Sequence, residues 1–162
     1  MEYTHVKHPF VPLYDKNSRI LILGSLPSAA SRKQNFYYGH PFNRFWKVLA
    51  ALYEEETPVT ITDKKTFLKK HHIALYDVIG ECDIRGSSDT SVRNVIPTDL
   101  EDIIRNSNIS RVFCNGKLSG RLYKKYHEAK TGIEAMVLPS TSPANASYTM
   151  DRLLEEWKEI LD

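Results

Sequence analysis

The chain has 162 residues, 41% of them hydrophobic and 26% charged, and its formal net charge is +2. This composition excludes a disordered or fibrous protein, and the length allows one domain, residues 1–162, to bury a core without disulfide or metal staples. The sequence contains neither the roughly 18 consecutive apolar residues of a membrane span nor a signal-peptide pattern at its start. We therefore expect a cytoplasmic protein. We also expect it to be a monomer.

Strands and helices are predicted to alternate along the chain. Apolar runs predict strands at residues 19–23, 73–79, 111–114 and 134–138. Helical spacing of apolar residues and capping patterns predict helices at residues 43–53, 63–71, 118–129 and 150–161, and one ending near residue 106. Thr62 or Asp63 is the expected cap of the second helix, and Thr98 with Glu101 has capping-box spacing. This order predicts a three-layer α/β/α fold with a mostly parallel sheet of about four strands.

Residues 24–46 and 80–97 are predicted to be long polar connections. Such lengths are unusual for loops without structure of their own, and the aromatic residues in the first connection argue against disorder. Residues 16–53 hold six basic side chains and no acidic one. This excess fits a phosphate-binding surface or simply a solvated face, and charge alone does not decide between them.

Polar segments follow each predicted strand. These segments begin at Gly24, Gly80, Asn115 and Pro139. Since ligands of parallel sheets bind beyond the carboxyl ends of the strands, we expect all four segments to meet at one edge.

Several kinds of site are excluded or disfavoured by their missing motifs. The sequence has no Walker A loop, no G-x-G-x-x-G and no G-x-S-x-G, and its two cysteines, Cys82 and Cys114, lie far apart. The histidine pairs, His5 with His8 and His71 with His72, have no further ligand at metal-site spacing. We therefore expect no metal and no cofactor. Hydroxyls, amides, aromatic rings and backbone N–H groups remain, which suit a nucleic-acid backbone and a nucleobase.

Five motifs carry a resemblance to a known family. They are GSLPS at residues 24–28, YYGHPxNxxW at 37–46, DV at 77–78 with CxxRGSxD at 82–89, NGK at 115–117, and LPSTSPANA at 138–146. In this order, and at predicted strand ends, they resemble the uracil-DNA glycosylase superfamily, and within it the hypoxanthine-DNA glycosylase branch.

The resemblance implies a monofunctional DNA glycosylase that needs no cofactor. Such an enzyme flips a deaminated base out of DNA, hydrolyses its bond to the sugar and leaves an abasic site. Hypoxanthine is the favoured base. Uracil is possible, although residues 139–146 lack the histidine with which specialised uracil enzymes bind the departing base.

The resemblance also implies roles for individual residues. Asn43 would orient the attacking water, because Leu26 occupies the usual position of that polar group; the alternative is that Asn43 only starts a helix. Asn115 would bind the edge of the base, unless it only forms an Asn-Gly turn, and Tyr38, or Tyr37 or Phe36, would stack on it. Gly24, Ser25 and His40 complete the predicted base pocket. The predicted DNA contacts are Ser28, Lys117, Ser140, Thr141 and Ser142, and a supporting carboxylate could be Asp83 or Asp89.

Two other functions remain compatible with the same residues. The first is a lesion-binding module that does not cut the glycosidic bond, which Leu26 makes credible. The second is a nucleoside hydrolase that acts on free inosine or deoxyinosine.

Overall fold

Seven strands and seven helices make up the computed structural model, which describes residues 2–161. The strands are β1 (Thr4–Lys7), β2 (Ile20–Gly24), β3 (Ile73–Asp77), β4 (Ile79–Ile84), β5 (Arg93–Pro97), β6 (Arg111–Asn115) and β7 (Ala135–Leu138). The helices are α1 (Ala29–Gln34), α2 (Phe45–Leu52), α3 (Ile61–Lys70), α4 (Glu101–Arg105), α5 (Lys117–Tyr126), α6 (Glu128–Thr131) and α7 (Met150–Trp157). Short 3-10 turns lie at Asp89–Ser91, Pro143–Asn145 and Lys158–Leu161.

The central sheet has four parallel strands in the order β3-β2-β6-β7. Strand β2 is buried on both faces, so its alternating side chains enter two different cores. Ile20 and Ile22 pack with residues of α2, α3 and α7, whereas Leu21 and Leu23 pack with residues of α4 and α5. The predicted three-layer α/β/α fold with a four-stranded parallel sheet is therefore confirmed.

The second long connection was predicted wrongly, because it contains sheet structure. Strands β1, β4 and β5 form a separate antiparallel sheet, and the predicted strand at residues 73–79 is divided between the two sheets. Val78 lies at the division, where its N–H donates to the carbonyl of Gly24 at 2.9 Å. The sequence pattern was weak because β5 buries no residue completely and β1 buries only Val6.

The first long connection contains helix α1, which the sequence also did not predict. Ser28 caps this helix, since its Oγ accepts a hydrogen bond from the N–H of Ser31 at 3.1 Å. Ser31 is the one buried residue of α1, so the helix has no apolar stripe that periodicity could detect.

The predicted helices are present with shifted ends, and the segment 118–129 is divided at His127 into α5 and α6. Two of the predicted caps were wrong. Thr60 caps α3 through a 3.0 Å hydrogen bond from the N–H of Asp63, in place of Thr62 or Asp63. Thr98 donates its hydroxyl to the carbonyl of Asp77, and Asp99 instead accepts from the N–H of Glu101.

Both cysteines are buried and neither forms a disulfide. Burial raises the pKa of the Cys114 thiol to about 12 and also raises the pKa of Cys82. Within residues 2–161, no helix has the length and apolar character needed to cross a membrane.

Candidate active site

A cleft of about 1100 Å³ lies at the carboxyl edge of the central sheet. The carboxyl ends of the four parallel strands and the segments that follow three of them line it, as the order of strands in the sequence predicted. They contribute residues 24–28, Asp77, residues 115–119 and residues 139–142, and residues 86–90 of the second connection also line the cleft. Asn43 and Asn115, which are far apart in the sequence, both face this cleft.

The side chain of Thr141 joins these two asparagines. Asn115 Nδ2 donates to Thr141 Oγ1 at 3.0 Å, and Thr141 Oγ1 donates to Asn43 Oδ1 at 2.8 Å. Thr141 is completely buried and its hydroxyl is bonded to both asparagines, so it differs from an exposed side chain free to contact DNA. It holds the two asparagines in one rigid arrangement.

Two backbone N–H groups set the direction of the hydrogen bonds that link Asn115, Thr141 and Asn43. The N–H of Thr141 donates to Asn115 Oδ1 at 3.0 Å, which leaves Nδ2 of Asn115 as the donor to the threonine hydroxyl. The N–H of Phe45 donates to Asn43 Oδ1 at 2.9 Å. The carbonyl oxygen of Asn43 therefore accepts two hydrogen bonds. The group of Asn43 that remains available to a ligand is its Nδ2 amide, which is a donor.

The side chain of Asn43 serves the start of α2 and also lines the cleft, so the helix-start role does not remove it from the site. Its bond to the N–H of Phe45 satisfies the first turn of α2, where Arg44 provides no side-chain cap. The same side chain lines the cleft. The helix start thus fixes the orientation of a cleft residue.

Arg44 ties the loop after β7 to the loop before α2. Its guanidinium donates to the backbone carbonyl of Tyr148 at 2.5 Å and to that of Asn145 at 3.2 Å. The backbone N–H of Arg44 donates to the carbonyl of Thr141 at 3.1 Å. This arginine is one of the six basic residues at positions 16–53 that could form a phosphate-binding surface. In the structure its charge is used to hold backbone carbonyls.

Tyr38 lies in the cleft with one ring face covered. Its ring stacks on Phe45 with 3.9 Å between centroids, and its φ of 54° is in the left-handed region. The hydroxyl is buried and makes no hydrogen bond to any residue in the range 2–161. Burial, followed by the nearby Asp77 carboxylate, raises the pKa of this phenol far above its ordinary value, and the Asn115 amide offsets part of the effect. The hydroxyl is therefore neutral and lies near the Asn115 amide without a hydrogen bond of normal geometry to it.

Asp77 and Gly24 form the floor of the cleft. The Asp77 carboxylate and the His8 side chain are each at most 4% exposed, and His8 Nε2 lies 2.6 Å from Asp77 Oδ2. A Cβ atom at Gly24 would lie 2.5 Å from Asp77 Oδ1 and 3.2 Å from the Tyr38 hydroxyl. The absence of a side chain at Gly24 thus leaves room beside these two oxygens.

The other predicted site residues are placed in different ways. Ser25, Ser28, Lys117, Ser140 and Ser142 line the cleft, and Lys117 is exposed at the start of α5. His40 does not line it; its Nδ1 accepts from the N–H of Phe42 at 3.1 Å. Asp89 also lines the cleft, whereas Asp83 is on β4 and pairs with His5.

Sequence reasoning missed His8 and Arg44 and gave Asp77 no chemical role. Asp77 stood within a quoted motif at the end of a predicted strand, and this placement was an available signal. The pairing of His8 with a residue 69 positions away left no local trace. Among residues 2–161, no group of three or more His, Cys, Asp or Glu side chains is arranged to hold a metal ion.

Fold and cleft together define a three-layer α/β/α protein with an amide- and hydroxyl-lined site at the carboxyl edge of its parallel sheet. The model of the uracil DNA glycosylase superfamily matches residues 11–161, so the chain belongs to that superfamily.

Similar proteins come from two species of Methanosarcina. A hypoxanthine DNA glycosylase of Methanosarcina barkeri is 36% identical over 143 residues, covering 86% of this chain and 88% of that protein. A hypoxanthine DNA glycosylase of Methanosarcina acetivorans is 33% identical over 157 residues, covering 96% and 98%. The solution NMR structure of a candidate uracil DNA glycosylase from Methanosarcina acetivorans superimposes with a TM-score of 0.83 at 31% identity, covering 97% of this chain and 96% of that one.

Proposed function

We propose that this protein is a monofunctional DNA glycosylase that removes deaminated bases from DNA, with hypoxanthine as its principal substrate. The observation that carries the proposal is the junction of Asn43, Thr141 and Asn115 in one cleft at the carboxyl edge of the sheet. The similarity to two hypoxanthine DNA glycosylases along most of the chain supports the choice of base.

The base would enter the cleft by rotating out of the duplex. Extrusion costs a few kcal/mol of stacking and pairing, and it costs less for a base that is already mispaired. The Tyr38 ring, supported from behind by Phe45, would offer its other face for stacking on the purine. Asn115 keeps one amide hydrogen and one oxygen lone pair beyond its bonds to Thr141, and these could contact the edge of the base.

Asn43 would hold the attacking water. Its Nδ2 amide donates to one lone pair of the water, while the other lone pair is directed at C1′ of the sugar. The bond between C1′ and the base breaks, and its electron pair leaves with the base. The water oxygen bonds to C1′, its proton passes to the departing base or to solvent, and the products are a free base and an abasic site. An amide orients this water and does not deprotonate it, so the reaction depends on a sugar that is already dissociating.

Contacts to the DNA backbone would come from the rim of the cleft. Lys117 is exposed there, and the hydroxyls of Ser28, Ser140 and Ser142 lie along the same opening. Hydroxyl and ammonium groups of this kind bind phosphate oxygens and position the strand without reading its sequence. We assign Thr141 to the support of the two asparagines because it is buried. A monomer would suffice, since one chain supplies all these residues.

Excision from a defined oligonucleotide tests the proposal. Duplexes with one hypoxanthine should become alkali-labile at that position, and they should stay intact without alkali because the enzyme does not cut the strand. Asn43→Ala should abolish most of the activity, whereas Asn17→Ala, a change of an exposed asparagine outside the cleft lining, should leave it unchanged. Thermal melting of both variants shows whether they fold.

Three outcomes would contradict the proposal. Strands that stay intact after alkali with hypoxanthine, uracil and xanthine would exclude a glycosylase for deaminated bases. Lesion binding without turnover under an excess of protein would instead identify a binding module. Release of base from free deoxyinosine, with no action on DNA, would identify a nucleoside hydrolase.

A further inference from the structure

Deamination changes one hydrogen-bonding position of a base in a specific way. When the amino group of adenine becomes a carbonyl, ring atom N1 gains a hydrogen, and N3 gains one when cytosine becomes uracil. In the parent bases the same nitrogen carries a lone pair and acts as an acceptor. A site that offers only an acceptor at this point can therefore bind the deaminated base and repel its parent.

Asp77 supplies such an acceptor on the floor of the cleft. One of its oxygens, Oδ2, is bound to His8 Nε2 at 2.6 Å. The other, Oδ1, makes no hydrogen bond within residues 2–161 and lies beside Gly24, where a Cβ would be 2.5 Å away. The side chain is 4% exposed, so it has little access to bulk water, and an incoming ring N–H can provide a hydrogen bond.

His8 fixes the orientation of the carboxylate. Its Nε2–H donates to Oδ2, which leaves Oδ1 directed at the space beside Gly24. Nδ1 of the same ring lies 3.0 Å from the carbonyl of Phe10, and the ring packs edge-on against Phe10 and Tyr76. The orientation of His8 is thus held from three sides.

A donor lies next to this acceptor. The unpartnered hydroxyl of Tyr38 would be 3.2 Å from the same Gly24 Cβ position, so it and Asp77 Oδ1 flank one point of the cleft. A lactam edge, N–H beside C=O, requires an acceptor and a donor side by side. Asp77 and Tyr38 present that pair in the free protein.

We propose that Asp77 determines specificity for deaminated bases by accepting a hydrogen bond from the ring N–H that deamination creates, with the Tyr38 hydroxyl donating to the adjacent carbonyl. The proposal rests on the glycosylase function proposed above. It separates hypoxanthine from adenine and uracil from cytosine. Guanine and thymine carry a ring N–H of their own and lie outside this discrimination.

The test compares excision of several bases by the wild-type protein, by two Asp77 variants and by a control variant. Single-turnover excision is measured on duplexes that contain hypoxanthine or 1-methylhypoxanthine, which lacks the N1 hydrogen. The wild-type protein should prefer hypoxanthine by about 10- to 100-fold, the range expected for a hydrogen bond to a charged acceptor. Asp77→Ala should lower excision of hypoxanthine by a similar factor and bring the ratio of the two substrates close to unity.

Asp77→Asn replaces the carboxylate with an amide of nearly the same size. Its amide oxygen can keep the bond from His8, which places the NH₂ group, a donor, toward the base. Hypoxanthine excision should then fall by about 10- to 100-fold, and the preference for hypoxanthine over adenine should shrink. If Asp77→Ala does not fold, Asp77→Asn still provides the test. Asp63→Asn, an exposed change on α3, should behave as the wild type.

The failures of the two proposals are distinguishable. A wild-type protein that leaves hypoxanthine in place refutes the glycosylase function itself. A wild-type protein that excises hypoxanthine and 1-methylhypoxanthine at equal rates refutes the role of the N–H. Folded Asp77 variants that keep the wild-type ratio of the two substrates show that another residue reads this position.

Discussion

The hydroxyl of Thr141 donates a hydrogen bond of 2.8 Å to the side-chain carbonyl of Asn43, across 98 positions of sequence. This bond attaches the loop after β7 to the start of α2. It also determines which face of the Asn43 amide is left for a ligand. The consequences can be measured with substitutions at Thr141 and at Gly24 on the floor of the cleft.

Replacing Thr141 with valine tests whether its hydroxyl is needed to position the two asparagines. Valine has nearly the same shape but no hydroxyl, so Asn43 loses a donor and Asn115 loses an acceptor in a buried position. We expect a loss of about 1–3 kcal/mol in the free energy of unfolding. Excision of hypoxanthine should fall by about 10- to 100-fold, because a misplaced group near the reacting atom is costly.

The matched control for that change is Thr141→Ser, which keeps the hydroxyl and should retain most of the activity. Denaturant unfolding and single-turnover excision measure the two effects. Equal activity of the valine and serine variants would mean that the hydroxyl bridge is not needed.

Gly24→Ala should close the floor of the cleft. The added methyl group would meet Asp77 Oδ1 and the Tyr38 hydroxyl at distances shorter than van der Waals contact. We expect strongly reduced excision with little change in binding to undamaged DNA, since the rim is untouched. Excision kinetics and fluorescence anisotropy measure these quantities.

A second glycine provides the contrast to Gly24. Gly132 has a φ of 72° and no atom within 4 Å of its Cβ position, so Gly132→Ala should cost about 1 kcal/mol of stability through backbone strain and leave excision unchanged. Normal excision by Gly24→Ala would show that the base does not approach the floor.

Lys117→Ala should weaken binding to all DNA sequences by the same factor. An exposed lysine at the rim neutralises phosphate charge and reads no base, so the slope of log affinity against log salt should fall by about one. The preference for hypoxanthine over uracil should not change. Lys69→Ala, which removes an exposed lysine outside the cleft lining, should leave the slope as it is. A changed base preference in Lys117→Ala would place this lysine in the base pocket instead.

The two cysteines should be inert in the folded protein. Burial raises the pKa of both thiols, to about 12 for Cys114, so at mildly alkaline pH almost no thiolate is present and reagents have no access. Titration with a thiol-reactive dye should detect neither cysteine before unfolding and both in concentrated guanidinium chloride. Rapid labelling of the native protein would indicate local opening around β4 or β6.

Sequence reasoning succeeded where burial leaves a periodic pattern. The doubly buried β2 and the apolar stripe of α7 are evident in the sequence, and the predicted order of strands and helices brings Asn43 and Asn115 to one edge of the sheet. It failed for β1, β5 and α1, whose residues are mostly exposed or polar and whose stability comes from partners distant in the chain. The pairing of His8 with Asp77 and the use of Arg44 on backbone carbonyls are likewise tertiary facts without a local signature.

The position of His8 matters for how the catalytic unit is delimited. The match to the superfamily begins at residue 11, three residues beyond this histidine. A shortened version cut at that boundary would keep every motif yet leave the Asp77 carboxylate without its buried counterpart, so we expect the shortest active form to begin before residue 8.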